Sequence, residues 1–198
     1  MLFRSSTETF GEGKGGNLTV NAQDVQLIGR ASGHANGLFT STSTGFSSLF
    51  FNDFTEGDGG NLTLSTNKLL VQDGAVVSTR TFGAGKGGDV TDNAQDVKLI
   101  GESGLLASAQ LESTGDSGNL TLSTNKLLVQ DGAGVSTATF GEGKGGDLTV
   151  NAQDVKLIGE SGLFASAEPG SKGDAGNLTL STNKLLVQDG AVVSTATF

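Results

Sequence analysis

The feature that most constrains this chain is an internal repeat built on a short motif: Gly, then Asn or Asp, then a hydrophobic residue, then Thr. The motif occurs six times, beginning at Gly16, Gly60, Gly88, Gly118, Gly146 and Gly176. From the second copy onward the spacing alternates between 28 and 30 residues, which defines a repeating unit of 58. Self-similarity at a fixed period is the signature of a repeat architecture in which each unit stacks on the next.

Each half of this unit holds three short apolar runs. One half reads GNLTLSTNKLLVQDGAVVSTRTF from Gly60, and the other reads GDVTDNAQDVKLIGESGLLASA from Gly88. The runs alternate in hydrophobicity and are separated by Gly, Asn, Asp or Ser, which is the pattern of strands and turns. No stretch between them is long enough for a crossover helix. We therefore predict an all-β, right-handed parallel β-helix of about six coils, with three short strands per coil and alternating coils of 28 and 30 residues.

The composition agrees with this fold and excludes others. Glycine occupies 32 of the 198 positions, which argues against a helical bundle, and the absence of cysteine excludes a disulfide scaffold. The sequence has no apolar stretch long enough for a transmembrane helix. The formal net charge of −9 disfavours nucleic acid and anionic membranes as partners. We therefore predict neither nucleic-acid binding nor membrane insertion.

Variation between the copies predicts which side chains face the core. The third run keeps Val77, Thr79 and Thr81 in its other copies, while two alternate positions change, one occupied by Val76 or Gly134 and the other by Arg80 or Ala138. Successive side chains of a strand point to opposite faces, so the unchanged set should face the core and the variable set the solvent. In the first run, Leu62 and Leu64 should likewise point inward.

Asp92 departs from the pattern of the first run. Other copies of the same half-unit have Val20 and Val150 at this position, and the sister halves have leucine. Alternation therefore predicts that Asp92 faces the core, stacked between Leu64 and Leu122. A carboxylate in that position loses its hydration, so we expect its pKa to be raised.

Two outward columns of polar residues follow from the same alignment. The first, which we call the charged column, alternates in sign at every coil and contains Asp24, Lys68, Asp96, Lys126, Asp154 and Lys184. Like charges stacked in neighbouring coils would repel, so a pair of coils forms one charge-matched unit, which explains the period of 58. The second, which we call the Asn/Asp column, contains Asn17, Asn61, Asp89, Asn119, Asp147 and Asn177. It places no two aspartates in adjacent coils.

The chain departs from the repeat between residues 30 and 55, where the first interval between motifs is 44 residues, 14 more than the corresponding spacing of 30. This insertion carries His34, Phe46, Phe50, Phe51 and Phe54. Long excursions from a solenoid corner are places that acquire binding roles, so these residues are a candidate binding loop. The alternative is a flap that covers hydrophobic surface near the N-terminal end.

No residue pattern in the chain predicts catalysis or a cofactor. The sequence GEGKGG at residues 11–16 and 141–146 matches the dinucleotide-binding glycine pattern, but a strand follows it where that site needs a helix. We expect instead a coil corner in which glycine supplies positive φ angles. The acidic residues recur in every unit, as a solvated ladder does, so we predict a non-enzyme. Clustered aspartates and corner carbonyls allow at most a weak structural calcium site.

The runs GGNLTV or GNLTL, then NAQDVKLIG or NKLLVQDGA, then GLFASA or VVSTATF resemble the β-helical repeats of filamentous-haemagglutinin-like exoproteins, in particular the large cyanobacterial kind. The resemblance covers nearly the whole chain. It implies two-partner secretion, a secreted or cell-surface location and an adhesin-type or structural role, with a host surface or a carbohydrate as ligand. We expect residues 1–198 to form a single β-helix domain cut from a longer array, and the first ten residues lack the apolar core of a signal peptide.

An ice- or carbohydrate-binding β-helix is the alternative function. A regular threonine array on a flat face can order water, and the Thr-x-Thr pairs such as Thr79 and Thr81 suggest one. The alternation described above turns these threonines inward, however, which argues against the ice-binding interpretation. We also expect end-to-end self-association, because the last coil at either end offers unpaired backbone groups and no capping element is evident.

Overall fold

The computed structural model describes residues 4–9, 13–29, 36–42 and 57–198. In these ranges the chain is all-β and contains no helix. The strands in chain order are β1 (Arg4–Thr9), β2 (Leu18–Asn21), β3 (Asp24–Ile28), β4 (Gly37–Thr42), β5 (Leu62–Gln72), β6 (Val76–Thr81), β7 (Val90–Ile100), β8 (Gly104–Ala109), β9 (Leu120–Gln130), β10 (Gly134–Thr139), β11 (Leu148–Ile158), β12 (Gly162–Ala167), β13 (Leu178–Gln188) and β14 (Val192–Thr197).

The strands form two parallel sheets that run the length of a solenoid of about six turns. The short-strand sheet has the order β1-β4-β6-β8-β10-β12-β14. The long-strand sheet has the order β13-β11-β9-β7-β5-β2, and β3 also pairs with β5. Each strand pairs in register with its copy in the next coil, for example Leu62 with Val90 and Val90 with Leu120. The predicted parallel β-helix is confirmed.

The first two apolar runs of a coil are joined into one bent strand of eleven residues, where the sequence suggested two separate strands. In β5, Leu62 and Leu64 face the core, and so do Leu69 and Val71, so the alternation slips by one residue between them. The slip falls at Asn67, whose backbone N–H donates to the carbonyl of Gln23 in the preceding coil at 2.8 Å. The bend divides the outer surface of the long-strand sheet into a first face, formed by the residues before the bend, and a second face, formed by the residues after it.

The core is a continuous stack of leucine and valine that passes from coil to coil, with threonine at one corner. Thr79 and Thr81 are buried, which confirms their predicted inward orientation. The hydroxyl of Thr81 donates to the carbonyl of Gly85 at 2.9 Å, and that of Thr139 to Gly143 at 2.6 Å. A buried hydroxyl costs little when it has such a partner, and here it ties the end of the strand to the following turn.

The outer side of the short-strand sheet is less exposed than the sequence suggested. Val76 and Ala138 belong to the variable set that was expected to face solvent, yet only 9% and 6% of their surface is exposed. Ser78, which points to the same side by alternation, is 0% exposed. It pairs in register with Phe39 below and Leu106 above, at a spacing of about 4.8 Å. Large side chains in the neighbouring coils shield Ser78, and the expectation of solvent exposure is wrong for Val76 and Ala138.

The glycine-rich corners differ from the expectation in their reason for glycine. The described glycines of the GEGKGG and GAGKGG corners do not have positive φ angles. A Cβ on Gly88 would instead lie 2.0 Å from the carbonyl oxygen of Gly60, and one on Gly118 would lie 1.9 Å from that of Gly88. Coils approach each other too closely here for any side chain, so stacking, and not backbone twist, requires the glycine column.

Positive φ angles fall at the other turn, between the long and the short strand of each coil. Asp73 and Gly74 have φ of 56° and 79°, and Gly101 and Glu102 have φ of 61° and 48°. Two successive positive φ angles define a tight turn that favours Gly, Asn or Asp. The repeat alternates Asp-Gly with Gly-Glu at this turn, in step with its two kinds of coil.

Two contacts explain why the sequence unit contains two coils. The charged column is in register as predicted, with Lys68 opposite Asp96 and Asp154 opposite Lys184. Within the described part of the chain, a salt bridge in this column joins Lys184 Nζ to Asp154 Oδ1 at 3.7 Å. The second contact occurs at the bend, where the Thr66 hydroxyl donates to the Gln23 carbonyl of the coil below at 2.9 Å.

Candidate functional site

The binding loop predicted from the sequence cannot be placed. His34, Phe46, Phe50, Phe51 and Phe54 all lie outside the described residues. The choice between a binding loop and a flap therefore stays a prediction.

The described strand within the insertion, β4, is an ordinary rung of the short-strand sheet between β1 and β6. Its Phe39 lies under the guanidinium of Arg80, with 5.9 Å from Arg80 Cζ to the ring centroid. This is a cation–π distance, so the contact with Phe39 holds the Arg80 guanidinium in place near the first coils.

A column of six threonines follows the first outer face of the long-strand sheet, one in each coil. We call it the threonine column, and it contains Thr19, Thr63, Thr91, Thr121, Thr149 and Thr179. All six side chains are partly or fully exposed. Within the described part of the chain, their hydroxyls make no hydrogen bond to protein. Their spacing is that of the coils, about 4.8 Å.

Sequence reasoning missed this column, although the signal was present. The threonine of the repeated motif never changes in six copies, and it alternates with inward residues such as Leu62 and Leu64. The Thr-x-Thr pairs of the third run are the more conspicuous threonine pattern in the sequence. Those threonines are buried in coils two and four, where Thr79 and Thr137 are 1% and 0% exposed, so they offer no surface array.

A shallow axial groove, open to solvent along its length, runs beside the threonine column along the bend of the long strands. Two adjoining depressions form it, and they share Ala94, Gln95 and Ser123. Together they reach from the first coil, at Gln23, to the last, at Asn183. The wall next to the threonine column contains Ser65, Asn93, Ser123, Asn151 and Ser181. The wall next to the column of alternating charges contains Gln23, Asn67, Gln95, Asn125, Gln153 and Asn183.

The floor of the groove alternates between alanine and threonine. Ala94 and Ala152 pack against the hydrophobic core from outside. Thr124, between them in the stack, donates its hydroxyl to the Gln95 carbonyl at 2.9 Å and is 3.1 Å from the Lys126 carbonyl. This hydroxyl is therefore occupied by the backbone, and the bend has the same geometry in every second coil.

The Asn/Asp column borders the threonine column on its other side and is held by backbone contacts. Asn119 Oδ1 accepts from the Asp147 N–H at 2.8 Å, and Asp89 Oδ1 accepts from the Asn119 N–H at 2.8 Å. Neighbouring side chains also contact each other in this column, and Asn177 Nδ2 donates to Asp147 Oδ1 at 3.0 Å. Because each side chain needs only to accept, asparagine and aspartate are interchangeable here.

Two carboxyl groups have shifted pKa values, for opposite reasons. At a corner, the backbone N–H of Lys86 donates to Asp58 at 3.0 Å and lowers the pKa of that carboxyl, aided by the Lys14 ammonium at 3.4 Å. In the core, burial raises the pKa of Asp92 to about 7. Asp92 is 0% exposed and neither carboxyl oxygen has a hydrogen-bond partner, which confirms its predicted inward position.

The acidic side chains are spread along the rod and are not gathered at one place. Across the described ranges, no three His, Cys, Asp or Glu side chains come close enough to hold a metal ion. The same ranges contain no helix that is long and apolar enough to cross a membrane.

Comparison of the chain with protein-family models, with curated proteins and with solved structures finds no match in any of the three.

Proposed function

We propose that this chain is a non-enzymatic β-helical segment of a secreted or surface exoprotein, with a structural or adhesin-type role. The observation that carries the proposal is that the same kinds of surface side chain repeat along the rod. The threonine column, the groove walls and the charged column present equivalent groups in every coil or every second coil. Many weak, equivalent contacts in a fixed line give avidity toward a repetitive surface without any single strong site. The proposed location rests on the resemblance of the repeats to filamentous-haemagglutinin-like exoproteins.

The distribution of acids supports the non-enzymatic part of the proposal. Catalysis by carboxylates needs two groups in different environments, one that donates a proton and one that attacks or activates water. The outward aspartates occupy equivalent ladder positions, as in the charged column. Asp92, whose environment differs, is 0% exposed, and its carboxyl oxygens have no hydrogen-bond partner among the described residues.

A cell-binding measurement tests the proposal. Fluorescently labelled protein is added to intact bacterial cells and to cells treated with periodate, which oxidises surface carbohydrate. We expect binding that saturates, that unlabelled protein competes away, and that an unrelated acidic β-helix of equal charge does not reproduce. Binding that neither saturates nor responds to competitor would contradict an adhesin-type role.

The threonine column favours ice binding as a second candidate function. Its six exposed hydroxyls form a straight row with a spacing of about 4.8 Å, flanked by polar columns on a face without large side chains. Thermal hysteresis measured at micromolar protein is the test. Activity that disappears in the Thr91→Tyr and Thr149→Tyr variants but survives Leu128→Tyr on the second face would establish it. A complete lack of hysteresis in the unmodified chain would eliminate it.

A further inference from the structure

We propose that the axial groove binds an extended, neutral polysaccharide chain that lies parallel to the rod axis. This inference rests on the proposed adhesin-type function and supplies its ligand class. It concerns the groove along the bend and does not depend on the threonine column.

The walls of the groove have the hydrogen-bonding character that sugars require. They consist of amide and hydroxyl side chains, and none of the described wall residues is charged. Amides offer donors and acceptors together, as do the hydroxyl groups of a sugar. Within the described part of the chain, Gln95, Asn125 and Gln153 make no side-chain hydrogen bond to protein, so their capacity is open to a ligand.

The floor supplies the apolar complement. Ala94 and Ala152 are small, uncharged and partly buried where they line the groove, and Thr124 between them has its hydroxyl turned to backbone carbonyls. The floor therefore presents apolar contact in every coil between two polar walls. A pyranose ring has the same division, with C–H groups on its faces and hydroxyls around its edge.

The length and straightness of the groove favour a polymer over a small ligand. It passes through all six coils, and the in-register stacking repeats its walls at about 4.8 Å. This repeat is close to the length of one sugar residue in an extended chain. Each successive sugar residue would meet one polar side chain on either side, and side chains of the same kind recur in every second coil.

Other polymers fit this surface less well. A nucleic acid needs cationic side chains along its path, and the walls contain none among the described residues. A peptide that binds as an added strand needs an open sheet edge, whereas the strands beneath the groove, β5 to β11, are paired on both sides. An acyl chain needs continuous apolar walls. A neutral glycan is the class that matches.

Affinity gel electrophoresis with hydroxyethylcellulose, a neutral extended glucan, tests the proposal. We expect the polymer to retard the unmodified chain. The double variant Gln95→Ala with Gln153→Ala should bind about tenfold more weakly, since two hydrogen-bonding side chains are lost. Ala152→Arg, which fills the floor, should abolish retardation. Gln130→Ala is the control, because it removes a partly exposed glutamine from the second face, where its side chain donates to Asp131 Oδ2 at 2.8 Å.

Melting curves show whether each variant is folded, and the two truncations lie on exposed side chains. No retardation of the unmodified chain, or equal retardation of the groove variants and the control, would overturn the proposal. If cells bind the protein while hydroxyethylcellulose does not, the glycan inference fails and the adhesin-type function stands. If cells do not bind it, the adhesin-type function itself fails.

Discussion

Asp92 lies directly beneath Leu122, in register across β7 and β9, and both side chains are fully buried. The carboxyl group has no hydrogen-bond partner, so its charged form is strongly disfavoured. Below pH 4 both the folded and the unfolded chain hold the proton. Between about pH 4 and pH 7 only the unfolded chain releases it, because burial raises the pKa of Asp92 to about 7 in the folded state. Folding stability therefore falls across this window, by about 4 kcal/mol.

We accordingly predict that Asp92→Val raises the melting temperature, and by more at pH 7.5 than at pH 4. Asp92→Asn removes the titration but leaves an unpartnered polar group, so its stability should not fall over this window as that of the unmodified chain does. Asp96→Asn, an outward position on the same strand, is the control. Equal stability of Asp92→Val and the unmodified chain at both pH values would mean that Asp92 faces solvent.

The Asn/Asp column predicts a salt-dependent effect of a single substitution. Asn119→Asp keeps the acceptor for the Asp147 N–H but places carboxylates in three successive coils. We expect a loss of about 1 kcal/mol at low ionic strength, which 1 M salt largely removes. Asn119→Leu should lose stability at both salt concentrations, because the acceptor is gone. Urea unfolding provides the measurement, and salt-independent destabilisation by Asn119→Asp would contradict the account.

The glycine column allows a matched comparison between two copies of one motif. A Cβ at Gly118 would lie 1.9 Å from the Gly88 carbonyl oxygen, whereas one at Gly16 meets no heavy atom of the described residues within 4 Å. Gly118→Ala should therefore separate two coils and lower the melting temperature sharply, while Gly16→Ala should change it little. If both variants melt alike, close stacking is not the reason for glycine at this corner.

The last coil of the 198-residue chain predicts self-association. Leu185 and Val187 would be core residues in any other coil, but here they are 50% and 41% exposed, and Phe198 is 71% exposed. The β13 edge beside them carries unpaired backbone groups. We expect light scattering to show association that increases with concentration and is reduced by Leu185→Lys with Val187→Lys. A strictly monomeric chain at high concentration would refute this prediction.

The repeat made most of this fold predictable from the sequence. Its copies show which positions vary, and that variation predicted both the in-register stacking and the inward orientation of Asp92. The bend at Asn67 was missed because a slip in alternation looks like a break between two strands. The corner glycines were misinterpreted because close approach and positive φ both exclude side chains, and only coordinates distinguish the two. The groove depends on that same bend, so the sequence alone did not indicate it.

Each face assignment above depends on parallel, in-register stacking at one coil per rung, and distances along the threonine column test it most directly. The chain lacks cysteine, so nitroxide labels can be placed on cysteine variants of Thr19 paired with Thr121, Thr149 or Thr179. Pulsed electron resonance should give distances that rise by about 4.8 Å per coil, to roughly 14, 19 and 24 Å before allowance for the label linkers. Distances that do not increase linearly with coil number would contradict the stacking and every surface derived from it.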